Sequence, residues 1–104
     1  MGFDFSGILP EDETTADAWY ILGVCLATND LFEEAILSFD QVLKTDPYFF
    51  EAWNGRGLSL HFLKRYNEAI ESYDIAIKID PLNSVVWHRR GIACLLYTSD
   101  AADE

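Results

Sequence analysis

The sequence predicts an all-α fold, a stack of antiparallel helix pairs. Trp19, Trp53 and Trp87 stand 34 residues apart, and Gly23, Gly57 and Gly91 keep the same step. Ala35 with Ala69, Phe39 with Tyr73, and Pro47 with Pro81 repeat at that interval too. Inside each unit the apolar residues recur at helical spacing. One helix pair cannot bury both of its apolar faces, so repeated pairs must stack on one another as a solenoid. A chain of 104 residues holds one such domain.

Residues 1–15 form an acidic N-terminal arm in which Phe3, Phe5, Ile8 and Leu9 stand among acids without a base. This arm is either loose or laid over the first helix as a cap. Gly2 and Ser6 match the bare N-myristoylation pattern by chance, since no basic cluster supplies a second anchor. The first helix spans Ala16–Asn29, with Trp19, Leu22, Gly23, Leu26 and Ala27 on one stripe. Thr14 and Asp17 have the spacing of a capping pair for it. Thr28-Asn29-Asp30 is a polar turn.

The second helix, Phe32–Thr45, carries Phe32, Ala35, Ile36, Phe39, Val42 and Leu43 as its core stripe. Pro47 stops it, because proline lacks an N–H and disfavours helical backbone at Asp46. The next unit repeats the plan with helices over Phe50–Leu63 and Asn67–Ile79, closed by Pro81. A fifth helix is expected over Ser84–Leu96. The repeats therefore occupy 16–49 and 50–83, and 84–97 is the first helix of a partial third. Glycine inside a helix costs about 1 kcal/mol relative to alanine. Three of them at one register position imply close approach by the partner helix, with large rings filling the surrounding space.

Eighteen acids against seven bases give a net charge of −11, which disfavours nucleic acid and anionic membrane surfaces. No apolar run reaches the roughly 18 residues of a spanning helix. The N-terminus lacks the basic start and apolar stretch of a signal peptide. Two cysteines, Cys25 and Cys94, fit a reducing compartment. A cytoplasmic location is the expectation.

The pattern W-x2-L-G…A-x3-F…P, met by Trp19, Leu22, Gly23, Ala35, Phe39 and Pro47, resembles the tetratricopeptide repeat (TPR) family. The second unit departs from it with Arg56 at the leucine position and Tyr73 for phenylalanine; the third has Arg90 at the leucine position. The resemblance implies a right-handed superhelical solenoid of about two and a third repeats. It also implies a concave groove lined by the first helices, where Tyr20, Val24, Asn54, Leu58, His61 and His88 fall between core and solvent. That mixed row suits an extended or helical peptide. Co-chaperone members clamp a partner's terminal carboxylate with lysines and asparagines. Here Tyr20, Val24, Asn54 and His88 stand at those places with Arg89 as the nearby cation, so chaperone-tail binding is disfavoured.

No catalytic, metal-binding or cofactor-binding residue is expected. His61 and His88 pair with no cysteine or carboxylate at ligand spacing, and no phosphate loop follows the glycines. Cys25 is expected as a small buried thiol, because Ser59 and Ala93 hold its register position. Arg56 and Arg90 are expected to snorkel toward an acid such as Glu51 or Asp80.

Residues Cys94–Glu104 resemble the translation of a transposase-type sequencing-library adapter. On that reading natural sequence ends near Ala93, and residues 98–104 are a disordered, non-native tail. The expected function is a protein-interaction scaffold that binds a partner's peptide or helix in the groove without catalysis. The alternative is a recruiting segment of a larger enzyme or signalling protein, truncated near Ala93. With Trp87, Gly91, Ile92, Leu95 and Leu96 uncovered, the chain is also expected to be marginally stable and to self-associate non-physiologically through the third repeat.

Overall fold

A computed structural model describes residues 15–102, with side chains from 16 to 99. Five α-helices span this region: α1 Thr15–Thr28, α2 Phe32–Thr45, α3 Phe50–Phe62, α4 Tyr66–Ile79 and α5 Ser84–Ala102. The described residues contain no strand. Each helix packs on the next in chain order, with lighter contacts from α1 to α3 and from α3 to α5. This is the expected stack of helix pairs, and the first four helices match the sequence-based ranges to within one residue at either end. The Thr14 cap and the acidic arm lie outside the described residues, apart from Thr15 in the helical backbone.

The turns inside the pairs share one construction. Asp30 and Lys64 take positive φ, 63° and 62°. The N–H of Leu31 returns to the carbonyl of Leu26 and that of Asp30 to Ala27; Arg65 and Lys64 do the same to Leu60 and His61. These are the six-to-one and five-to-two bonds that satisfy the last carbonyls of a helix and reverse the chain. Between pairs, Asp46 and Asp80 accept from the N–H of Tyr48 and Leu82 through Oδ1, 3.0 and 3.3 Å away. Asn83 Oδ1 then accepts from Val85 and Val86, capping α5.

The core falls into two clusters, each drawing residues from more than one repeat. Trp19, Leu26, Ala35, Phe39, Val42 and Ala52 form the first. Ile36, Leu60, Ala69, Tyr73, Ala76, Ile77, Val86 and Ala93 form the second, with Trp53 packed against it. Trp53 and Trp87 donate their indole N–H groups to the carbonyls of Pro47 and Pro81, each at 2.8 Å, so the two later tryptophans latch onto the preceding turn.

The repeated glycines are spaces for rings. A Cβ on Gly23 would lie 2.7 Å from the Phe39 ring, and one on Gly57 would lie 2.5 Å from the Tyr73 ring. Both rings are fully buried and cannot yield. Gly55 adds a contact that periodicity does not reveal: its Cβ would meet the other side of Phe39 at 2.7 Å. Phe39 thus wedges between α1 and α3. Gly91 has nothing within 4 Å of its would-be Cβ.

Arg56 and Arg90 do snorkel, although not to Glu51 or Asp80. Arg56 Nε donates to Asp40 Oδ1 and Nη1 to Ser72 Oγ, both at 2.7 Å, which ties α3 to α2 and α4. Arg90 Nε donates to Asp74 Oδ1 on α4. The acids sit sixteen residues upstream, on the second helix of the preceding repeat, because that helix runs alongside the arginine's own helix.

Two further expectations need correction. Cys25 is exposed, whereas Ser59 and Ala93 at its register position are buried. α3 and α5 each pack on a preceding second helix, α2 and α4, whereas no described helix precedes α1. The fifth helix does not stop near Leu96 but runs to Ala102, so residues 98–102 are helical and not a disordered tail. No glycine or proline interrupts this stretch, and its alanines are the strongest helix formers. Thr98 Oγ1 donates to the Cys94 carbonyl at 2.9 Å within it.

Tyr73 carries a buried hydroxyl that makes no hydrogen bond within the described structure. An unsatisfied buried polar group costs about 1–3 kcal/mol. Tyr73→Phe, which restores the ring type of Phe39, is therefore expected to stabilise the fold by about 1 kcal/mol in urea melts. Burial pushes the phenol up to about 12 from its ordinary value of 10. The group binds its proton more tightly folded than unfolded, so its contribution is intact below pH 10 and is lost as pH rises toward 12. The Phe variant should lose that part of the alkaline slope.

Candidate peptide-binding groove

The inner faces of α1 and α3, with the start of α2 and part of α5, enclose an open cavity of about 480 Å³. Helical spacing places Tyr20 and Val24 one turn apart on α1, with Asn54 and Leu58 matching them on α3. A smaller cavity of about 240 Å³ lies beside it, lined by His61, His88, Tyr73 and Ile92. Leu58, Phe62 and Arg89 border both spaces. All six residues expected along the first-helix row, Tyr20, Val24, Asn54, Leu58, His61 and His88, thus line these two adjoining hollows.

The floor of the larger cavity is aromatic. Phe39 lies beneath it, with the Tyr20 ring 6.0 Å away, and Tyr20 in turn lies 5.2 Å from Phe49. Phe32 and Phe62 form one wall, stacked at 5.0 Å with planes 20° apart. Phe32 was expected in the core stripe of α2. As the first residue of that helix it instead turns half-buried into the cavity, where Phe62 of the neighbouring repeat covers one side of it. Phe62 has no aromatic counterpart at the 34-residue step, where Thr28 and Leu96 stand, so periodicity gives no sign of it. His61 meets both Phe62 and Tyr66 edge-on, at 5.5 and 5.4 Å, which extends the aromatic surface toward α4.

Charge is unevenly placed around this apolar space. Asp30 and Glu51 line the larger cavity and are exposed. Arg89 is the cation of both hollows, and its Nη1 donates to Asn54 Oδ1 at 3.0 Å. The arginine and asparagine are therefore engaged with each other. Burial and then the Glu51 carboxylate push the Tyr20 phenol upward. The described residues contain no group of three or more histidine, cysteine or carboxylate side chains placed to hold a metal ion. No described helix is long and apolar enough to cross a membrane.

Comparison with known proteins bears out the repeat fold. One tetratricopeptide repeat model matches residues 50–83 and a second tetratricopeptide repeat model matches residues 12–48. The chain belongs to the tetratricopeptide repeat family. Its two matched TPR units meet at the break between α2 and α3. TPR units are in general protein-interaction modules, and the coarse function follows from membership. No curated protein matches the chain significantly over its sequence. The specific character of this TPR groove rests on its own residues: a stacked Phe32–Phe62 wall, a Phe39 floor, and Arg89 paired to Asn54.

Proposed function

We propose that the concave groove binds a peptide or helix of a partner protein, and that the module scaffolds this contact without catalysing a reaction. The observation that carries the reading is the continuous apolar hollow lined by Val24, Phe32, Leu58 and Phe62, in which Val24 and Phe62 are 40 % and 56 % exposed. Seating one large apolar side chain there would contribute about 1.5–3 kcal/mol. Asp30 and Glu51 beside the hollow, and the net charge of −11, favour a ligand with lysine or arginine flanking that anchor. The acidic surface would also speed encounter with such a ligand at low salt.

The test is selection from a random peptide library on the full chain, followed by titration of the winners. Selected peptides should share a leucine or aromatic anchor next to basic residues. Leu58→Asp should weaken them by about tenfold or more, the loss of roughly one buried anchor. Peptides rich in acids, or binding indifferent to Leu58→Asp, would contradict the proposal.

A further inference from the structure

In a chain of net charge −11, the smaller hollow of the groove is an exception. His61, His88 and Arg89 line it, and no carboxylate does. The larger hollow has the opposite character, with Asp30 and Glu51 in its lining. Leu58, Phe62 and Arg89 border both, so a ligand anchored in one continues across the other.

Arg89 also differs from the other arginines. Arg56, Arg65 and Arg90 are each held by a carboxylate, of Asp40, Glu68 and Asp74 in turn. Arg89 has no carboxylate partner among the described residues; its Nη1 donates to the neutral amide oxygen of Asn54 at 3.0 Å. That bond fixes the half-buried guanidinium at the junction of the hollows and leaves Nε and Nη2 without an acceptor in the described structure. Arg65 shows what this pair of atoms does when a carboxylate is present: its Nε and Nη2 hold the two oxygens of Glu68 at 2.9 and 2.6 Å. Such paired, charge-assisted bonds are the strong form of carboxylate recognition. The ring nitrogens of His61 and His88 make no hydrogen bond within the described structure either.

We infer that the smaller hollow seats the side-chain carboxylate of an aspartate or glutamate within the bound peptide or helix, its two oxygens gripped by the Nε and Nη2 N–H groups of Arg89. The inference rests on the groove reading and deepens it. The ligand carries basic residues on the Asp30 and Glu51 side of its apolar anchor and a single acid on the other side. His61 and His88 line the seat with further N–H donors. The acids of the surrounding surface repel such a carboxylate, so the match is local: the position of the acid on the ligand decides binding, not the ligand's net charge.

The probe is a library-selected peptide whose binding Leu58→Asp weakens, blocked at both ends and titrated by fluorescence anisotropy into the full chain. A single glutamate is walked along the flank opposite its basic residues, with a glutamine control at each position. At one position or more, glutamate should bind about fivefold tighter than glutamine, the worth of a partly exposed charge-assisted pair. Glutamates placed on the basic flank should gain nothing. On Arg89→Gln the glutamate and glutamine peptides should bind alike. The glutamate–glutamine comparison needs no protein variant, so it decides the matter even where Arg89→Gln destabilises the fold. No favoured glutamate on the unaltered chain, a gain that survives Arg89→Gln, or a gain from a free C-terminal carboxylate with none from an internal glutamate would each overturn the inference and leave the groove reading standing. A selection that yields no peptide sensitive to Leu58→Asp would remove the groove reading and this inference with it.

Discussion

Phe39→Ala is expected to bring the protein close to unfolding. The ring is 1 % exposed and fills the space left by Gly23 on one side and Gly55 on the other. Neither glycine has a side chain to relax into the hole, so the cavity should stay largely open. Phenylalanine-to-alanine changes in cores cost about 3–5 kcal/mol. Small domains hold only about 0.05–0.15 kcal/mol per residue in total. At about 4–8 °C per kcal/mol, the midpoint should fall by 12 °C or more, or cooperative melting should disappear. A variant that melts within about 3 °C of the parent would show that the ring is not the wedge described.

The wedge was partly legible in the sequence. The 34-residue step of Gly23 and Gly57 and of Phe39 and Tyr73 announces that rings meet glycines. Gly55 was not legible, since Ile21 and Arg89 occupy its register and nothing repeats. The groove divides the same way. Tyr20, Val24, Asn54, Leu58, His61 and His88 follow from knowing which face of the first helices is free. Phe32 and Phe62 do not, because their stacking joins the start of one helix to the end of another in the next repeat. Spacing along one helix cannot show it. The Asp40 and Asp74 partners of the arginines are not legible for a related reason: they lie across a helix–helix contact, whereas Glu51 and Asp80 are near in sequence.

The second large expected effect is a difference in sign. Gly57→Ala places a Cβ 2.5 Å from the fully buried Tyr73 ring. Overpacking of this kind costs about 1–3 kcal/mol, and the gain in helix propensity of about 1 kcal/mol offsets only part of it. Gly91→Ala is the same chemical change at the same register, with open space around it. It should stabilise by about 0.5–1 kcal/mol. Urea titrations of the two variants should therefore separate in opposite directions from the parent. Equal shifts would mean that the glycines are retained for some reason other than the rings.

On the proposed function, the concave face, and not the outer faces of α2 and α4, meets a partner. The most direct test is an amide nitrogen–proton correlation spectrum of the labelled chain, recorded while a library-selected peptide is added. Shifts are expected to concentrate at Val24, Phe32, Asn54, Leu58, Phe62 and Arg89, residues around the larger cavity. Shifts centred on Leu37 and Glu71, exposed on α2 and α4, with the cavity residues unmoved, would contradict it.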